Sequence, residues 1–185
     1  QIGGYTMENM EENRNPGLYI HIPFCKTKCP YCSFYSTTDL GFIDAFLTAL
    51  AGEMLLYREQ FLFFDTLYIG GGTPSVLDKA GFEALFRHLR DAFSFDDLSE
   101  VTVEINPADY TPDMFSFLRN LGVNRLNIGI QSFDDRILSF LGRRHNAREA
   151  KIALDSACQA EFPHLGLDLI YAVVRDDDAD IDEVL

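Results

Sequence analysis

The chain has 185 residues, of which 47% are hydrophobic, 13% aromatic and 24% charged; this excludes the disordered and low-complexity classes and allows one sizeable core. Fifteen basic residues stand against 29 acidic ones, a formal charge of −14, which argues against a broad nucleic-acid or anionic-membrane surface. No run approaches the roughly 18 apolar residues of a membrane span, and the opening "QIGGYTMENMEENRNPG" has no apolar signal-peptide core. The expected compartment is therefore a reducing cytoplasm, where clustered cysteines bind metal or do chemistry rather than pair.

Residues 1–16 read as a disordered or non-native tail. "LYIHI" (18–22) is a short β-rich run, and the loop after it holds Cys25, Cys29 and Cys32. "DLGFIDAFLTALAGEMLLYREQF" has helical spacing, with Asp39 placed to cap it. "DTLYIG" is the next apolar run, stopped by Gly70, Gly71 and Gly72. "LDKAGFEALFRHLRDAF" is helical, with Leu85, Leu89 and Phe93 on one face. "EVTVEIN" alternates; "TPDMFSFLRNLG" follows, with Thr111 as cap, Pro112 in the first turn and Gly122 as stop. "NRLNIGI", "SFDDRILSFLG", "NAREAKIALDSACQAEF" and "LGLDLIYAVV" complete the series.

Five strands alternating with helices imply βα units and a parallel sheet. Two architectures stay open, a doubly wound sheet and a barrel of the TIM type. In both, function belongs at the carboxyl ends of the strands. The cysteines, the triple glycine, Glu104, Gln131 and Asp168 all fall there; Asp168, inside a mostly apolar run, reads as a buried acid that needs a partner.

The C-x3-C-x2-C cluster has several readings. A disulfide would leave an odd thiol. Structural zinc asks for four ligands, commonly as two separated pairs, and the nearby His21 lies inside a strand. Inert packed thiols rarely come as a triplet beside Lys26 and Lys28. An iron–sulfur cluster remains, and it takes thiolate ligands, normally four to a cubane. Three would leave one iron open to a small molecule, with the two lysines moderating charge and Tyr31 and Phe34 excluding water. Elsewhere the bland readings are a strand-to-helix turn for Gly70–Pro74, a solvated strand end for Glu104, an ordinary packed thiol for Cys158, and surface or packing roles for His88, His145 and His164.

C-x3-C-x2-C with an aromatic residue before the last cysteine is the signature of the radical S-adenosylmethionine (SAM) enzymes. The wider "YIHIPFCKTKCPYCSF" resembles one branch, the oxygen-independent coproporphyrinogen III oxidases and their HemW-type haem-chaperone relatives. "GGGTPS", "VEINP", "RLNIGIQSFDDRIL", "LGRRHNAREA" and "LDLIY" continue the resemblance from about Leu18 to Tyr171. It implies a partial (β/α) barrel of the TIM type, about five βα units and truncated, over 17–174. It implies a [4Fe-4S] cluster on Cys25, Cys29 and Cys32, with SAM chelating the open iron and cleaved to a 5′-deoxyadenosyl radical. The SAM contacts it implies are Tyr19, Tyr31, Gly71, Gly72, Thr73, Glu104, Gln131, Arg143 and Asp168, with Arg143 rather than Arg144 aligned to the family arginine. Implied partners are haem or a porphyrinogen, an electron donor such as flavodoxin or ferredoxin, and haem-acceptor proteins, with no nucleic acid and no integral membrane segment.

Two departures matter. The family's oxidases carry a further cysteine two residues after the third ligand, where this chain has Phe34; that favours a haem chaperone over an oxidase. After "LDLIY" the family continues with Gly-Leu-Pro-Gly-Gln-Thr, whereas this chain gives "AVVRDDDADIDEVL". Read one base later, a permissible codon set turns the acidic stretch into Gly-Met-Thr-Met-Gln-Thr-Leu-Thr. Residues 175–185 are therefore expected to be an atypical, frameshifted tail, and an inactive truncated fragment is a third expectation.

Overall fold

The computed structural model describes residues 16–61, 63–94, 100–109 and 111–173. The expectations for the amino-terminal tail and for the acidic end after Val174 lie outside these residues, apart from Pro16.

Five strands form, β1 Gly17–Ile22, β2 Thr66–Gly71, β3 Glu100–Ile105, β4 Arg125–Gln131 and β5 His164–Leu169. They lie side by side in chain order, each neighbouring pair parallel. A doubly wound sheet reverses its strand order at a switch point. This one does not, so the structure selects the wall of a barrel. The helices are α1 Ile43–Tyr57, α2 Lys79–Ala92, α3 Pro112–Leu121, α4 Asp135–Phe140 and α5 Ala147–Gln159.

Side chains alternate between the two faces of a strand, and that period divides the protein into core and site. Ile20, Ile22, Leu67, Ile69, Val103, Ile105, Leu126, Ile128 and Ile130 are buried against the helices. The intervening positions (Tyr19, His21, Tyr68, Glu104, Asn127, Gln131) carry polar groups on the other face. A sheet covered on both faces would read as continuous apolar runs. Here only one face has a core.

The helix ends follow the chemistry of their caps. Thr111 Oγ1 accepts from Met114 N, Pro112 opens α3, and Gly122 closes it with φ 101°. Asn146 and Glu149 form a reciprocal capping box on α5. Asp39 caps a 3-10 turn, Leu40–Phe42, ahead of α1 rather than α1 itself. α1 is also shorter than predicted, ending at Tyr57. The stretch Leu40–Tyr57 is long and apolar enough to cross a membrane by length and composition, with mean hydropathy 1.5. That corrects the sequence reading that no run approaches such a span; here it forms the crossover from β1 to β2. Cys158 is a second correction. α5 buries Ala150, Ala153 and Ala157, and the next residue, about 100° further round, is exposed. His145 is a buried packing residue, its Nε2 donating to the Ile130 carbonyl at 3.0 Å.

Candidate functional site

The loop after β1 is pinned at both ends. Cys25 N donates to Thr37 O at 2.9 Å and Thr37 N to Pro23 O at 2.8 Å, so the segment between them leaves and returns at one point. Within it, Cys32 N donates to Cys29 O at 3.0 Å. All three thiols are free, Cys25 buried and Cys29 and Cys32 partly so. Thr73 Oγ1 lies 3.4 Å from Cys25 Sγ. Arg143 Nη1 lies 3.6 Å from Cys29 Sγ and 3.3 Å from Tyr31 Oη, while Nη2 donates to Gly129 O at 2.7 Å.

A cavity of about 260 Å³ opens between this loop and the carboxyl ends of the strands. Tyr31, Gly71, Gly72, Thr73, Glu104, Gln131, Arg143 and Asp168 all line it, together with Cys32 and Phe34. Every sequence-predicted cofactor residue except Tyr19 therefore reaches one space. Tyr19 stands apart, its ring stacked on Tyr68 with centroids 5.8 Å apart and its hydroxyl 3.2 Å from His21 Nδ1.

The glycines form the cavity wall because a chain with side chains could not pass there. Gly72 N donates to Ile22 O at 2.8 Å, and a Cβ at Gly72 would meet Phe24 O at 2.7 Å and Ile22 O at 2.9 Å. Gln131 holds φ 67° beside the bulge between Gly129 and Gln131, which turns its amide out of the strand into the cavity. Asp168 is exposed rather than buried as its apolar neighbours suggested. β5 is an edge strand among the described residues, and Asn127 Nδ2 donates to both its carboxylate oxygens, at 3.1 and 2.9 Å.

Glu104 is the most constrained acid of the site. Tyr68 Oη donates to Oε1 at 2.7 Å and Gly71 N to Oε2 at 3.1 Å. Burial raises its pKa above the ordinary glutamate value, against the opposing effect of those two donors. Burial and the adjacent Glu104 push the Tyr68 hydroxyl well above the ordinary phenol range. Burial also raises Tyr31, with Arg143 acting the other way.

Tyr68 and Asn127 escaped the sequence reading. Both sit two residues before a glycine of their strand that the reading had placed at the rim or in a motif, so the period of two was the signal that could have found them. Lys26 was expected to offset cluster charge; it pairs instead with Asp109 at 2.7 Å. Arg144 also turns to Asp109, at 2.5 Å, leaving Arg143 alone at the cavity.

The donor set discriminates between metals. Among the described residues, no three His, Cys, Asp or Glu side chains gather as one ion would require. A four-iron cubane asks for something different, since each thiolate takes its own iron, and three free thiols on one loop fit that demand. The buried Arg143 Nε has no hydrogen-bond partner. It leaves an unspent donor beside the cavity, which suits an anionic ligand group.

Comparison with known proteins identifies the family. The profile of the Radical SAM superfamily matches residues 19–185. The chain belongs to the radical SAM superfamily. It is 37% identical over 171 residues to the heme chaperone HemW of Mycobacterium tuberculosis, covering 89% of this chain and 44% of that protein. To HemW of Escherichia coli it is 35% identical over 162 residues, covering 84% and 42%. The structure of the E. coli coproporphyrinogen III oxidase HemN, a radical SAM enzyme, superposes with TM-score 0.79 at 32% identity, covering 85% of this chain and 38% of that one. The chain thus spans less than half the length of these relatives. The radical SAM fold is theirs in common, and the superfamily implies a [4Fe-4S] cluster and SAM.

Proposed function

We propose that this chain is the cluster- and SAM-binding part of a haem-handling protein of the HemW kind. The observation that carries the reading is Phe34. It occupies the place of the oxidases' additional cysteine, it lines the cavity, and it is 68% exposed at the mouth. A thiol there would lend a further sulfur ligand or redox group; a phenyl ring offers only apolar surface, of the kind a flat macrocycle packs against. The identity to proteins named heme chaperones supports the same reading.

Cys25, Cys29 and Cys32 would each hold one iron. When bound, the cluster supplies the electron by which radical SAM proteins cleave SAM. The chain's own groups bind, orient and shield. Arg143 presents a guanidinium already fixed by Gly129 O, suited to the SAM carboxylate. The backbone of Gly71, Gly72 and Thr73 admits the amino end of SAM closely. Glu104 offers that end a carboxylate whose free lone pairs are aimed by Tyr68 and Gly71. Gln131 contributes a donor and an acceptor. Asp168, oriented by Asn127, accepts from the adenosine hydroxyls. Tyr31 closes the cavity beside Cys32, and Tyr19 acts by stacking on Tyr68, which holds Glu104. A reduced electron-transfer protein and a haem-acceptor protein are the partners this function asks for.

The structural likeness to HemN supplies the second reading, an oxidase acting on a porphyrinogen. One experiment separates the two. Anaerobically reconstituted protein is titrated with haem and, in parallel, incubated with SAM, reductant and coproporphyrinogen. The chaperone reading expects saturable haem binding without porphyrinogen consumption. Porphyrinogen loss with matching 5′-deoxyadenosine overturns it in favour of the oxidase.

A further inference from the structure

The site is assembled from separate loops, and an ion cluster built around one buried carboxylate joins three of them. Asp109 closes the 3-10 turn Pro107–Asp109 after β3, and its side chain is 0% exposed. Lys26 Nζ lies 2.7 Å from its Oδ1 and Arg144 Nη2 lies 2.5 Å from its Oδ2. Lys26 directly follows Cys25 in the loop after β1. Arg144 directly follows Arg143, in the loop between α4 and α5, and the Arg143 guanidinium reaches Cys29 and Tyr31.

The turn carrying Asp109 is itself braced. Ala108 N donates to Asn106 Oδ1 at 3.1 Å, Asp109 N to Asn106 O at 2.9 Å, and Asn106 N to Ser75 Oγ at 3.1 Å. An exposed ion pair would contribute little. A carboxylate without solvent, shared by two cations from separate loops, restricts both loops, because withdrawal of either cation leaves that buried charge without its partner.

We propose that Asp109 is a positioning residue that holds the cysteine loop and the Arg143 loop in mutual register, so that the thiols and the guanidinium are presented together before any cofactor arrives. The purpose of this register rests on the cofactor reading above; the clamp itself does not. Asp109 touches neither the cavity nor a thiol, so its effect passes through Lys26 and Arg144.

The test begins with the full chain free of cofactor, by hydrogen exchange. Asp109→Asn is expected to speed exchange roughly tenfold or more at the Cys32 amide and at the Gly142 and Arg143 amides together, with Ile69 and Val103 unchanged. Lys26→Gln is expected to loosen only the first loop and Arg144→Gln only the second. These two variants decide the matter if Asp109→Asn does not fold. After reconstitution, Asp109→Asn should need roughly tenfold more SAM to shift the cluster's EPR spectrum, at wild-type iron content. Unchanged exchange in both loops, or a response of both loops to Lys26→Gln alone, overturns the clamp. If the wild-type chain takes up no cluster, the cofactor reading fails and the exchange data still decide the clamp.

Discussion

Replacing Gly72 with alanine adds one methyl group and should cost far more than its size suggests. The new Cβ would lie 2.7 Å from Phe24 O, 2.9 Å from Ile22 O and 2.9 Å from Phe24 N. All three are backbone atoms, so no rotamer change relieves the contact, and the strand end or the cysteine loop must move. Overpacking of this kind costs about 1–3 kcal/mol. Movement also weakens the bonds from Gly72 N to Ile22 O and from Thr73 N to Phe24 O, both 2.8 Å, each worth about 0.5–1.5 kcal/mol. The sum is about 2–6 kcal/mol, or a fall in Tm of roughly 4–24 °C for a chain of this size. Thermal and urea unfolding followed by circular dichroism would measure it. Gly52→Ala is the internal control. Gly52 lies within α1 with nothing within 4 Å of its ideal Cβ, so alanine there should stabilise by about 0.5–1 kcal/mol. Gly72→Ala unfolding at the wild-type midpoint would refute the close approach of these two backbones.

Four further outcomes are expected. The imidazole of His145 is buried and flanked by Arg143 and Arg144, which lowers its pKa, burial being the larger cause. Its contribution to stability is therefore complete above the unfolded value of about 6.5 and is lost as pH falls below it; His145→Gln should flatten the decline between about pH 6.5 and 5 in urea titrations. Arg143→Lys keeps the charge and loses the fork, so the SAM concentration giving half the EPR shift should rise roughly tenfold or more with cluster content unchanged. Phe115, 1% exposed and edge-on to Phe162 at 5.8 Å, should cost about 3–5 kcal/mol when replaced by alanine. Cys158→Ser, on the exposed face of α5, should change stability by less than about 0.5 kcal/mol and leave iron uptake intact, whereas Cys25→Ser should prevent it.

The strands and caps were legible because their signals are local. The alternation in "EVTVEIN" and the sequence Thr111–Pro112…Gly122 state their own structure, and β3 and α3 form there. The choice between a doubly wound sheet and a barrel was not legible in the periodicity, since strand order depends on long-range pairing that no window of sequence contains; only the resemblance of the motifs to a known family pointed to the barrel that forms. The site shows the same division. Cys25, Cys29, Cys32 and the glycines stand out through spacing. Tyr68 and Asn127 do not, because their importance lies in bonds to Glu104 and Asp168, which are 36 and 41 residues away. Asp109 was hidden for that reason too: its two cations come from either side of it in sequence, and only the fold unites them. Asp168 misled because an acid in an apolar run looks buried when the strand's position at the sheet edge is unknown.

The central claim is that three thiols on one loop hold a cluster whose open iron meets SAM in the cavity bounded by Arg143 and Glu104. Its most direct measurement is EPR of the anaerobically reconstituted, reduced chain, recorded with and without SAM. A [4Fe-4S]⁺ signal that shifts when SAM is added is the predicted result. Folded protein that binds no cluster, or a cluster whose spectrum ignores SAM, would contradict it.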